Sequence, residues 1–171
     1  ITQPAPMTLQ AGTGGTICAG GSIALNGTAG GSYTTVSWTG GTGTFSPPGS
    51  LSTVYTSGLG DNGNITLTIT LTDACGNTVT DNVNVTVNPL PVAQLVAGGP
   101  TALCPGDSVL LTASGGTTYA WSTGATTASV YASTAGNYSV VVSNSCGNDT
   151  VAISVTTLPG ANALITPSGP T

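Results

Sequence analysis

One string of residue types occurs twice in this chain, and that repetition constrains the fold more than any other feature. Thr16-Ile17-Cys18-Ala19-Gly20-Gly21-Ser22-Ile23-Ala24-Leu25 is matched by Ala102-Leu103-Cys104-Pro105-Gly106-Asp107-Ser108-Val109-Leu110-Leu111. Each copy continues with a Gly-Gly pair (Gly30-Gly31, Gly115-Gly116), then a Trp (Trp38, Trp121), then Cys-Gly-Asn at Cys75-Gly76-Asn77 and Cys146-Gly147-Asn148. Such self-similarity marks a serial array in which each copy is one structural unit. The copies end at proline, at Asn88-Pro89-Leu90-Pro91 and at Leu158-Pro159. Residues 1–89 read as the first repeat and 90–159 as the second. In 160–171, Gly169-Pro170-Thr171 echoes Gly99-Pro100-Thr101, so this tail reads as the start of a further repeat or a linker. With Ile1 in front and no signal peptide, the chain reads as a mature or excised segment of a longer polypeptide.

Within each copy the apolar residues recur with a period of two. Ile65, Leu67, Ile69 and Leu71 alternate with Thr and Asn, and Val83, Val85 and Val87 do the same. The second copy offers Val109, Leu111 and Ala113, then Tyr119 and Trp121, then Tyr138, Val140 and Val142, then Val151, Ile153 and Val155. Alternation over four to eight residues is the signature of a half-buried strand, and Gly- and Pro-rich turns punctuate the runs. No helix-period segment of useful length competes. The expected fold is all-β: two tandem immunoglobulin-like Greek-key β-sandwiches, with Trp38, Trp121 and Tyr138 in their cores.

Charge excludes several functions. The chain has no Lys, Arg, His or Glu; its acids are Asp61, Asp73, Asp81, Asp107 and Asp149, for a net charge of −5. Without cations it has nothing to set against nucleic-acid phosphate or an anionic membrane surface. No apolar run reaches the roughly 18 residues of a membrane span, so direct membrane insertion is not expected. At 39% hydrophobic residues the chain is nonetheless apolar enough to fold.

The four cysteines lack CxxC spacing and histidine partners, which argues against zinc and for disulfides in an oxidising compartment. The repeat pairs Cys18 with Cys75 and Cys104 with Cys146. Each bridge is expected at one pole of its sandwich, tying a strand entrance to a hairpin turn. Loops of that length contribute at most about 4 kcal/mol each.

The run Cys104-Pro105-Gly106-Asp107-Ser108-Val109-Leu110-Leu111-Thr112-Ala113-Ser114-Gly115-Gly116, then Tyr119-Ala120-Trp121-Ser122-Thr123-Gly124, then Ala135-Gly136-Asn137-Tyr138-Ser139-Val140-Val141-Val142, then Cys146-Gly147, resembles Ig-like repeats of Bacteroidota surface proteins. These include giant adhesins of the gliding-motility type exported by the type IX secretion system. The longer first copy, with Leu71-Thr72-Asp73-Ala74-Cys75-Gly76-Asn77, resembles a PKD-like or HYR-like variant. The resemblance spans essentially the whole chain. It implies secretion and a role as spacer, stalk or adhesive surface.

Candidate sites are few. Ser and Thr abound, but no His or Lys is present to activate them, so no catalytic residue is assigned. Asp73 and Asp81 flank a hairpin turn and are read as surface residues rather than a carboxylate pair. Gly60-Asp61-Asn62-Gly63-Asn64 is oxygen-rich; Asp61, Asn62 and Asn64 form a candidate calcium loop, against the plainer reading of a self-capping turn. No other cofactor is expected. Asp107-Ser108-Val109 and Asp149-Thr150-Val151, both read at strand entrances, match the Asp-Ser/Thr-aliphatic O-glycosylation motif of the same bacteria, at Ser108 and Thr150. Tyr33, Tyr55 and Tyr131 are candidates for surface contact, glycans included. The leading reading is a non-catalytic, disulfide-stapled structural or adhesive segment of a secreted cell-surface protein. Its partners would be neighbouring repeats or identical chains in a filament. The alternatives are a glycan- or ligand-binding module and the accessory tail of a secreted enzyme. Buried tryptophans favour the spacer; an exposed aromatic row favours the binder.

Overall fold

A computed structural model describes residues 5–160; residues 161–171, almost all of the tail expected to open a further repeat, lie outside it. The described residues are strand and turn, with no helix and hence none long and apolar enough to cross a membrane. The chain divides into two compact units between Leu90 and Pro91.

The first unit holds β1 (Thr8–Gln10), β2 (Thr16–Cys18), β3 (Ser22–Asn26), β4 (Thr28–Gly30), β5 (Thr35–Thr39), β6 (Thr44–Ser46), β7 (Ser52–Thr56), β8 (Gly63–Thr72) and β9 (Thr78–Asn88). One sheet runs β2-β9-β8-β5 and another β3-β7-β6, with β1 and β4 pairing separately. The alternation read from sequence becomes burial: Leu67, Ile69, Val83, Val85 and Val87 point inward with Leu25 and Trp38. Removing such residues from water is the main force holding the layers together. Trp38 packs on Phe45 with ring centroids 6.0 Å apart, and its indole N–H donates to the Ser50 carbonyl at 2.9 Å.

The second unit holds β10 (Gln94–Ala97), β11 (Ala102–Leu103), β12 (Val109–Ser114), β13 (Thr118–Trp121), β14 (Ser129–Ala132), β15 (Gly136–Asn144) and β16 (Gly147–Thr157). Its sheets are β10-β12-β14 and β11-β16-β15-β13. Leu111, Trp121, Tyr138, Val140 and Val142 fill the core. The Trp121 indole N–H donates to the Thr127 carbonyl at 2.7 Å. Tyr138 donates to the Thr134 carbonyl at 3.1 Å, a hydroxyl-to-backbone clasp of the kind that fixes the corner before this strand in immunoglobulin domains. Val140, two residues on, stands where an antibody domain would place its second cysteine, so aliphatic packing replaces the inter-sheet disulfide there.

The units share one further feature, and it positions the cysteines. In each, a short strand near the start leaves the first sheet and pairs parallel to the last strand of the other. β2 sets Cys18 level with Asn88 on β9, and β11 sets Leu103 level with Thr157 on β16.

Candidate functional site

Among the described residues the cysteines recur with the repeat, and the structure corrects their expected pairing. Cys18 and Cys146 are each disulfide-bonded; Cys75 and Cys104 are exposed free thiols. Neither expected bridge, Cys18–Cys75 or Cys104–Cys146, forms. Strand length gives the reason. Cys18 lies beside Asn88, the last residue of β9, whereas Cys75 lies in the turn before Thr78, the first. Cys104 follows Leu103, level with Thr157 at the end of β16, whereas Cys146 precedes Gly147 at its start. Ten residues of extended strand put about 33 Å between the two cysteines of one repeat. A disulfide tolerates a Cα separation of roughly 4–7 Å. The two cysteines of each repeat therefore sit at opposite poles, not at one.

Local turns present them in matched pairs. The carbonyl of Cys18 accepts the Gly21 N–H at 2.8 Å and that of Cys104 accepts the Asp107 N–H at 3.0 Å. Each turn has Gly at its third position with positive φ, Gly20 at 78° and Gly106 at 92°. That is type II turn chemistry, with Pro105 fitting the second position of the later copy. The hairpin cysteines are capped alike: Asp73 accepts the Cys75 N–H and Asn144 accepts the Cys146 N–H, each at 2.8 Å. Asp73 also accepts the Asn77 side-chain and backbone N–H groups at 2.8 and 2.9 Å. The Asn77 amide, ahead of its backbone N–H, holds the Asp73 carboxyl below its ordinary pKa.

Asp61 does not face solvent as a loop ligand. It is 4% exposed, and its carboxylate accepts four hydrogen bonds: the Thr42 N–H and hydroxyl at 2.8 Å each, the Gly58 N–H at 3.0 Å, and the Tyr55 hydroxyl. Burial alone would raise its pKa, but the Tyr55 and Thr42 hydroxyls and the two N–H groups outweigh it and leave the carboxyl below its ordinary range. Burial, then the bond to Asp61, pushes Tyr55 up to about 12. Asp61 is thus a corner clasp, the first unit's counterpart to Tyr138 and Thr134. Asn62 and Asn64 are exposed beside it. Among the described residues no three His, Cys, Asp or Glu side chains group as a metal would need.

The other candidates separate. Trp38 and Trp121 are 7% and 5% exposed, so neither offers a sugar platform. Tyr55, a surface candidate from sequence, is fully buried, whereas Tyr33 and Tyr131 are 37% and 72% exposed. Tyr131 stands opposite Leu110 across β12 and β14, the largest exposed aromatic surface described. Ser108 is exposed just before β12; Thr150 is exposed too but lies within β16 rather than at its entrance. Asp81 is a half-buried strand residue that accepts the Ala11 N–H at 2.8 Å, not a turn residue. Asp149 likewise accepts the Ala93 N–H at 2.8 Å. Among the described residues no buried side-chain nitrogen or oxygen lacks a partner.

No family model matches the sequence, and no curated protein does. Solved structures do. The eight N-terminal Ig domains of Down Syndrome Cell Adhesion Molecule superpose with a TM-score of 0.51 at 16% identity, over 88% of this chain and 27% of that one. Titin domains I67–I69 give 0.48 at 10% identity, over 92% and 66%. Dpr2 Ig1-Ig2, in its complex with DIP-Theta, gives 0.47 at 14% identity, over 91% and 66%. The chain thus spans under two thirds to about a quarter of these molecules. The fold is that of tandem immunoglobulin-like domains.

Proposed function

We propose that this chain is a non-catalytic stretch of serial Ig-like repeats in a secreted structural or adhesive protein, where it spaces or projects other parts of an extracellular assembly. The observation that carries the reading is the burial of both tryptophans, each with its indole N–H bonded to backbone. Aromatic surface that a binding module would display is spent on the cores instead. The carboxylates support the same reading: Asp61, Asp73, Asp81 and Asp149 each cap backbone N–H groups rather than meeting across a cleft. Disulfide bonding at Cys18 and Cys146 fits an oxidising, extracellular setting. The resemblance to Bacteroidota surface repeats supports a giant adhesin of the gliding-motility type as the parent.

One observation favours a second reading. Tyr131 and Leu110 form an exposed patch on the β10-β12-β14 sheet, with Val96 also exposed on that sheet, and a glycan would bind such a surface. Pulling single molecules of the full chain in reducing buffer separates the two. The spacer reading expects two unfolding peaks, each releasing roughly 20–30 nm, at about 0.35 nm per residue. Extension without peaks, or saturable binding to a glycan panel that Tyr131→Ala abolishes, would overturn it.

A further inference from the structure

The four cysteines fall into two kinds, and bonding does not follow the repeats. Cys18 and Cys104 are entrance cysteines, each opening a type II turn at the pole where the last strand of its unit ends. Cys75 and Cys146 are hairpin cysteines at the opposite pole, each with its N–H taken by the Asx side chain two residues earlier. One of each kind is bonded, Cys18 and Cys146. One of each kind is free and exposed, Cys104 and Cys75. The local backbone gives no reason for the difference, because the turns match.

We propose that Cys104 and Cys75 are the open halves of repeat-to-repeat disulfides: Cys104 takes a hairpin cysteine of another such repeat, and Cys75 takes an entrance cysteine. With a second copy of this chain the product is a head-to-tail Cys104–Cys75 link. Three observations carry the pairing. A cysteine of each kind is already disulfide-bonded in the other repeat, so both presentations suit the bond. Pairing inside a repeat is barred by about 33 Å of strand. Both free thiols also line concave surface at their poles. Cys104 borders a cleft with Gly98, Gly99, Pro100 and Leu103, where two side-chain-free residues leave backbone open to an incoming turn. Cys75 borders one with Ser32, Tyr33 and Thr34.

The chemistry is thiol–disulfide exchange with a small-molecule disulfide as oxidant. One thiolate attacks the oxidant and releases its first thiol; the other thiolate attacks the mixed disulfide and releases the second. Two S–H bonds are lost and one S–S bond forms. Two electrons reduce the oxidant to two thiols, which take up the two protons. Each link would close one pole on the next, so a series of repeats would be covalently clamped at every junction and not only along its backbone.

The pairing rests on the serial reading proposed above, yet the two fail separately, since an unclamped spacer would still resist pulling. The test uses the full chain as Cys75→Ser and Cys104→Ser variants in a buffer of oxidised and reduced glutathione, resolved on a non-reducing gel. Each variant alone should stay monomeric. The two mixed should give a heterodimer at least ten-fold above either symmetric dimer, and the unsubstituted chain should give a ladder of multimers that collapses on reduction. Monomer throughout, or symmetric dimers in yield comparable to the heterodimer, would overturn the pairing. The unchanged fold of each variant is checked by its tryptophan emission, since both thiols are exposed.

Discussion

Replacing Asp61 with Ala should be among the most damaging single changes in the first unit, although sequence makes it look like a loop residue. Its carboxylate accepts from Thr42 twice, from Gly58 and from Tyr55. Thr42 is exposed, so water can replace the carboxylate there at little cost. The Tyr55 hydroxyl belongs to a fully buried side chain, and the Gly58 N–H is part-buried, so neither is so easily rescued. An orphaned buried donor costs about 1–3 kcal/mol, so Asp61→Ala should cost about 2–4 kcal/mol. Tyr55→Phe removes one bond to a charged acceptor and should cost about 2 kcal/mol. The changes share a partner, so together they should cost less than their sum, by about 1–2 kcal/mol. Urea unfolding of the full chain, read by Trp38 emission in a Trp121→Phe background, measures each. An Asp61→Ala loss below about 0.5 kcal/mol, or strict additivity with Tyr55→Phe, would refute the clasp.

The same pair sets a pH signature. Asp61 has its folded pKa below the ordinary carboxylate value, so its contribution is present above that value and is lost as pH falls through the folded one. Tyr55 is raised to about 12, so its contribution is present below the ordinary tyrosine value of about 10 and is lost as pH climbs from there toward 12. Tyr55→Phe should flatten the alkaline limb, as seen by urea midpoints across that range. In the second unit Trp121→Ala should cost about 3–5 kcal/mol by emptying the core, measured by calorimetry. Tyr138→Phe should cost about 1 kcal/mol by releasing the Thr134 carbonyl. Gly115→Ala should cost at least about 2 kcal/mol in the same assay, because φ is 102° and a Cβ would lie 1.8 Å from the Val92 carbonyl oxygen.

Periodicity carried much of this fold in the sequence. Every aliphatic of the β8 and β9 alternation that was read as inward is buried or half-buried, and both tryptophans are core. Polar residues on the inner face hid the rest. On β7 the inward positions are Thr53 and Tyr55, while Val54 points out at 39% exposure, the reverse of what hydrophobicity alone would favour. That reversal concealed Tyr55, and with it the reason Asp61 is buried. The cysteine pairing failed for a different cause. The repeat aligns Cys18 with Cys104 and Cys75 with Cys146, but alignment gives kinship and not distance. What separates the two kinds is the parallel pairing of a short early strand with the last strand, β2 with β9 and β11 with β16. A partner so remote in sequence leaves no local trace in two or three residues of strand.

Cleavage before aspartate, followed by mass spectrometry of the monomeric chain alkylated without reduction, puts each cysteine on its own peptide, because Asp61, Asp73, Asp81, Asp107 and Asp149 divide the sequence between them. Opposite poles require the peptides carrying Cys75 and Cys104 to be alkylated and unlinked, and those carrying Cys18 and Cys146 to be released only by reductant. A Cys18 peptide joined to the Cys75 peptide, or a Cys104 peptide joined to the Cys146 peptide, would contradict the strand arrangement from which the account is built.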